Sequence, residues 1–308
     1  MHSQSPAPAG VKLDLDDLLT LRQHIGKRRP PSANYSANPL GGQYKSRLRG
    51  RGLDFAEVRP YQAGDDVRNI DWRVTARARK PHTRLYTEER ERPVFILCDQ
   101  RSTMYFGSQV RFKSVQAANL AALIAWQAQA AGDRIGALIL GNQTLVDLPP
   151  KAASKHVANL LNDIARFNQQ LNTDTSEQNL PLSQALGDAR RSARPGSLIY
   201  ILSDMSDLNS DAEEQIGLLA RHCEVIGIRI QDPLEKTLPK GDGQFNVQQG
   251  EQSLSIDFAS KTLRRNYAQS RMQISEQQDL LFLQSRAKLL DCTSDQCPIT
   301  FWQQGGLR

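Results

Sequence analysis

Val94-Phe95-Ile96-Leu97-Cys98, followed at once by Asp99, is the stretch on which the fold turns. Five apolar residues without polar alternation make a strand covered on both faces, the kind found in parallel sheets between layers of helix. Outward from it the pattern alternates. Residues 112–131 are alanine-rich and helical, and residues 135–140 form a second buried strand. Residues 145–148 suit a short edge strand, ended by Pro149 and Pro150. Ser154 caps a helix that runs to about Phe167, and residues 180–193 make another. Residues 197–202 and 225–230 are the third and fourth buried strands; between them Ser210 caps a helix through Arg221, and Asp232-Pro233 closes the fourth. Strands that alternate with helices predict an α/β fold with a doubly wound, mostly parallel sheet.

The flanks are less regular. Residues 1–10 look like a disordered tail, and Leu13, Leu15, Leu18, Leu19 and Leu21 mark a short helix ending near His24, ahead of Pro30 and Pro31. Residues 32–52 form an extended loop, and residues 53–86 short strands and turns, with Ala63-Gly64-Asp65-Asp66 a strong turn signal. Residues 238–257 read as a polar hairpin, residues 259–288 as a long helix, and the tail after Asp291 as loop or short strand. The expected organisation is a tail and helix (1–31), a basic loop- and strand-rich subdomain (32–92), the α/β domain (93–232) and a C-terminal hairpin, helix and tail (233–308).

Composition narrows the class. At 39% hydrophobic and 6% aromatic residues, the core must be mostly aliphatic. No apolar run approaches the roughly 18 residues of a membrane span, and the polar N-terminus lacks the apolar core of a signal peptide. A soluble cytoplasmic protein is expected. Cys98 and Cys223 lie in apolar runs, and Cys292 and Cys297 are spaced without a nearby His, a weak zinc signal; free thiols are the plainer reading. Between Arg22 and Arg92 there are 17 Lys/Arg against 8 Asp/Glu, so the net charge of +6 belongs to this segment. Such basicity suits either an anionic partner or internal pairing with the interleaved acids.

Residues 50–72 read GRGLDFAEVRPYQAGDDVRNIDW. The run resembles the signature of the domain-of-unknown-function-58 family: a G-x-G-x-[ED]-F stretch, then R-x-Y-x-x-G-D-D-x-R-x-I-D-W. Arg59, Tyr61, Gly64, Asp65, Asp66, Arg68, Asp71 and Trp72 carry it here. Ala76-Arg77, the segment 85–91, and Asp99 followed by Thr103-Met104-Tyr105-Phe106-Gly107 continue the match. The arginines and acids of this segment suggest a charge lattice, read as an internal clamp or as a partner-binding face, with Trp72 and Tyr61 adding apolar area. The resemblance implies a sheet of von Willebrand factor A type. It also implies a MoxR-type AAA+ ATPase as partner, together with other von Willebrand factor A proteins, in a chaperone-like assembly machine.

Von Willebrand factor A domains often hold a divalent ion at the C-terminal edge of the sheet, in a D-x-S-x-S loop with a Thr and a later Asp. Mg2+ suits such oxygen ligands. Matched onto this sequence, Asp99 takes the first position and Thr103 the second Ser position; Thr173 or Thr175 supplies the loop Thr, and Asp204 the later Asp. Arg101 stands at the first Ser position. A guanidinium beside Asp99 and Asp204 competes with a divalent ion. The expected site is therefore degenerate: Asp99, Arg101, Thr103 and Asp204 form a partner-binding edge, with no cofactor or at most weak Mg2+ on Asp99, Thr103 and Asp204.

Catalytic signatures are missing. The sequence has no G-x-x-x-x-G-K-[ST] loop, no G-x-S-x-G elbow and no H-E-x-x-H, and its five histidines are scattered. A non-enzymatic adaptor of the ATPase is the leading expectation. The alternative is nucleic-acid or polyanion binding through Lys27-Arg28-Arg29 and Lys45, Arg47, Arg49 and Arg51, without a recognised nucleic-acid motif. Peripheral membrane attachment through the same loop is a third reading.

Overall fold

The computed structural model describes residues 10–26, 53–62, 65–88, 92–171, 179–239, 244–249, 252–257 and 259–304. The chain divides into two compact units, Met1–Ala37 with Arg92–Arg308, and Asn38–Glu91. Helix α1 (Leu15–Thr20) opens the larger unit. Strand β1 (Leu53–Pro60), helix α2 (Trp72–Ala78) and strand β2 (His82–Glu88) form the smaller one. The larger unit continues with β3 (Val94–Asp99), α3 (Lys113–Ala130), β4 (Ile135–Leu140), β5 (Leu145–Lys151), α4 (Ser154–Gln170) and α5 (Leu182–Ser192). Then come β6 (Leu198–Ser203), α6 (Ser210–Ala220), β7 (Glu224–Gln231), α7 (Pro233–Lys236), the pair β8 (Gln244–Gln249) and β9 (Gln252–Asp257), α8 (Lys261–Gln284), β10 (Lys288–Thr293) and α9 (Pro298–Gln303).

Six strands make one sheet in the order β10-β7-β6-β3-β4-β5, all parallel except the β4–β5 hairpin. Every residue of β3, β4 and β6 is buried, as their unbroken apolar runs require. Alternate side chains feed two cores. Val94, Ile96 and Cys98 face α1, α3, α4 and α9, whereas Phe95 and Leu97 face α5, α6 and α8. Helix α3 is buried on almost every side, which its alanines permit by letting it lie close to the sheet. After β3 the chain moves to β4 on one side and later to β6 on the other. The carboxyl ends of β3 and β6 therefore flank the topological switch point, where open α/β sheets place their sites.

Several boundaries differ from the sequence reading. Pro149 and Pro150 do not end β5. They sit within an edge strand, where the missing N–H groups are tolerated, and the register jumps from Ile135↔Lys151 to Ala137↔Leu148. Gly136 opposite this bulge has room for the crowding: a Cβ there would lie 2.8 Å from the Phe95 ring and 2.9 Å from Pro150. Asn209, not Ser210, caps α6, accepting from the N–H of Ala212. Residues 288–293, read from sequence as the end of the long helix and the start of a loop or short strand, form a sixth strand alongside β7. Buried Arg229 of β7 fastens it, donating to Asp291 at 2.7 Å and to Gln278 of α8 at 2.9 Å. At the other end, Trp126 Nε1 donates to the Leu18 carbonyl and Arg22 lies over the indole, which docks the N-terminal helix.

In the smaller unit, β1 and β2 pair antiparallel. Three of its described acids make local bonds. Asp65 pairs with Arg59 at 2.7 Å and accepts from Gln62 N. Asp66 accepts from Arg68 N, and Asp71 caps α2 by accepting from Arg73 N and Val74 N. Tyr61 is half-buried, and Trp72 is 70% exposed. Gly64 and the basic positions Lys27, Arg28, Arg29, Lys45, Arg47, Arg49 and Arg51 lie outside the described residues.

Candidate functional site at the carboxyl edge of the sheet

Asp99 is the last residue of β3 and is fully buried. The turn that follows brings Arg101 back onto it. Arg101 Nε donates to Asp99 Oδ1 at 2.9 Å and Nη2 to Oδ2 at 2.7 Å. A second carboxylate closes the other side of the guanidinium: Nη1 donates to Asp207 Oδ2 at 2.6 Å and Nη2 to Oδ1 at 3.0 Å. Nη1 also donates to the Leu180 carbonyl at 2.9 Å. All five N–H donors of the guanidinium are thus used. Arg101 is 2% exposed, while the Asp207 side chain is 34% exposed and forms the solvent side of the sandwich.

Asp99 Oδ1 also accepts from the Arg101 N–H at 3.0 Å. Ser203 Oγ donates to Asp99 Oδ2 at 2.7 Å and accepts from Met205 N. Asp207 Oδ2 accepts from Leu182 N at the start of α5, tying the β6 loop to that helix. Burial opposes the charge of Arg101, but the Asp99 charge and the forked bonds outweigh it and hold the guanidinium more firmly protonated than usual.

Asp204 has its own cation. Lys113, the first residue of α3, is buried and donates to Asp204 Oδ2 at 3.0 Å and to Glu235 Oε1 at 2.7 Å. Its Nζ also lies 6.0 Å from the Phe106 ring centroid. Burial works against both charges of the pair. The Asp204 and Glu235 charges nevertheless raise the Lys113 ammonium above its usual range, and Lys113 pulls Asp204 below the usual carboxylate range. Beside them Asp232, at the end of β7, accepts from Ser108 N and Oγ, from Ser294 Oγ and from Leu234 N. These bonds outweigh burial and hold its pKa low. The loops after β3, β6, β7 and β10 are thereby stitched into one edge.

The structure redistributes the residues expected from sequence. Asp99, Arg101 and Asp204 do reach this edge, but Arg101 grips Asp99 and Asp207 rather than Asp99 and Asp204. Thr103 lies exposed on the single turn Ser102–Met104. Thr173 and Thr175 lie outside the described residues. Lys113, Asp207 and Glu235 were not foreseen. Asp207 follows Asp204 by three residues in the sequence, but Lys113 is 91 positions from Asp204, and only the fold brings them together.

A divalent ion on Asp99 would have to displace the guanidinium from both carboxylate oxygens, and one on Asp204 would meet the Lys113 ammonium. The donor set present does not fit Mg2+: its inner carboxylates are already neutralised by cations of the chain.

The fold and the site define a doubly wound α/β domain with buried carboxylates at the carboxyl ends of β3 and β6. The chain belongs to the family described as "Protein of unknown function DUF58", whose model matches residues 57–277. It is similar to "Uncharacterized protein Rv1480" of Mycobacterium tuberculosis, at 30% identity over 232 residues, 75% of this chain and 71% of the relative. Among solved structures it is similar to the conserved hypothetical protein BatB from Bacteroides thetaiotaomicron. That match has 13% identity and a TM-score of 0.40, covering 70% of this chain and 96% of the other. It is also similar to the SpRpn10 VWA domain, at 10% identity and a TM-score of 0.34, covering 70% and 94%.

Proposed function

We propose that this protein is a non-enzymatic protein-interaction module whose working face is the carboxyl edge of the sheet, with Arg101 and Lys113 serving as fixed cations in place of a metal ion. The observation that carries the reading is the Arg101 guanidinium, forked on both sides by Asp99 and Asp207 with no donor left over. A partner meeting this edge finds the outer carboxylates of Asp207 and Glu235, with Phe106 and Val110 exposed in the loop after β3. That combination suits a protein surface with cationic and apolar side chains. The hydroxyl bonded to Asp99, that of Ser203, is held between Asp99 and Met205 as a structural bridge, which supports binding over catalysis. Family resemblance suggests the partner: a MoxR-type AAA+ ATPase, with other von Willebrand factor A proteins, in the assembly of protein complexes.

The test is co-purification of the tagged full chain with such an ATPase, with and without ATP, beside a Phe106→Ser, Val110→Ser variant. Recovery by the wild type and loss in the variant is the expected result. Equal recovery moves the interface off this edge, and no recovery by either rejects the adaptor reading.

A further inference from the structure

The smaller unit carries a second exposed face that the sheet-edge reading does not use. Trp72 is 70% exposed and Val67 63%. Around them Arg68, Arg73, Arg77, Arg79 and Lys80 are all exposed. Helix geometry groups them: Trp72 and Ala76 lie one turn apart on the outer side of α2, Arg73 and Arg77 form the adjacent row, and Val74 and Thr75 turn inward. Among the described acids of this unit, three have local partners. Asp65 pairs with Arg59, Asp66 accepts from a backbone N–H, and Asp71 is buried as the α2 cap. The other two tryptophans, Trp126 and Trp302, are buried.

We propose that this face docks on an anionic lipid surface, with Trp72 and Val67 entering the headgroup region and the five cations lying over the lipid phosphates. An indole beside clustered cations is the composition that favours such interfaces. Three features favour lipid over other polyanions. An exposed aliphatic such as Val67 gains from a hydrocarbon boundary and gains little from nucleic-acid phosphates or bases. Trp72 stands without a second exposed tryptophan, where single-stranded nucleic acid is normally held on several stacking side chains. The face is built from one short stretch, 67–80, below the roughly 20–30 residues per side of a stable protein interface. A fluid bilayer needs no pocket shaped to receive the indole.

The test uses the full chain and vesicles of phosphatidylglycerol mixed with phosphatidylcholine, or of phosphatidylcholine alone. Binding is read by co-sedimentation and by tryptophan emission, which reports Trp72 because Trp126 and Trp302 are already buried. The expected result is binding and a blue shift with the anionic vesicles alone, lost in about 1 M NaCl, where the screening length falls to ~3 Å. Trp72→Ser, and the pair Arg73→Glu with Arg77→Glu, should each weaken binding at least roughly tenfold with unchanged thermal unfolding. No binding to anionic vesicles, or equal binding by the variants, overturns the proposal. So does quenching of Trp72 by a single-stranded oligothymidylate or by polyglutamate without vesicle binding, which hands the face to nucleic acid or to an acidic protein. Failure here leaves the sheet-edge interface untouched, because the two tests share no residue.

Discussion

Arg101 is the most constrained side chain at the sheet edge, and its removal leaves the buried Asp99 carboxylate without a counter-charge, held by the Ser203 hydroxyl and the backbone N–H of residue 101. Arg101→Met should therefore destabilise the protein by about 3–5 kcal/mol, read from the shift in urea midpoint at constant slope. The Lys113–Asp204 pair gives the edge a pH signature. Asp204 is held below the usual range, so its contribution is present above the unfolded carboxylate value of about 3.9 and is lost as pH falls through its lower folded value. Lys113 is held above the usual range, so its contribution is present below about 10.4 and is lost as pH rises through its higher folded value. In Lys113→Met, Asp204 takes up its proton earlier, and the acid unfolding midpoint should move up by about one pH unit or more, measured by circular dichroism. Asp99 and Arg101 are legible in the sequence because they are two residues apart in a recognisable loop. Lys113 is not: a lysine opening an alanine-rich helix looks like a solvated first turn, and its burial follows from where α3 meets the ends of β6 and β7.

At the level of elements, close approach rather than propensity sets the sheet's outer layers. Gly227 of β7 lies under Phe282 of α8, and a Cβ there would come within 2.5 Å of the phenyl ring. Gly227→Ala should cost about 1–3 kcal/mol, and Phe282→Leu in the same chain should recover part of it; thermal unfolding of the single and double variants checks both. The buried strands β3, β4, β6 and β7 could be read from sequence because each is an apolar run with polar ends. β10 could not, since Lys288-Leu289-Leu290-Asp291 is half polar and becomes a strand only through parallel pairing with β7 and the Arg229–Asp291 ion pair. The β5 prolines misled for a related reason. Proline opposes a central strand, but an edge strand needs hydrogen bonds on one side alone.

For the whole molecule, cations supplied by the chain make a clear thermodynamic prediction. A ligand that binds the folded state raises the unfolding temperature by mass action, so a real Mg2+ or Mn2+ site would show itself at about 10 mM metal. The expected outcome is no change in the wild type and no heat of binding by calorimetry. Tight binding that disappears in Asp99→Ala would reject the fixed-cation reading. The strand order has a further consequence, in time. β7 ends at Gln231, but its outer neighbour β10 begins only at Lys288. On the ribosome, at roughly 5–20 residues per second, β7 waits several seconds as a bare, isoleucine-rich sheet border after it has left the synthesis site. During that interval the nascent chain presents its most association-prone surface, and residues 288–293 close it from within.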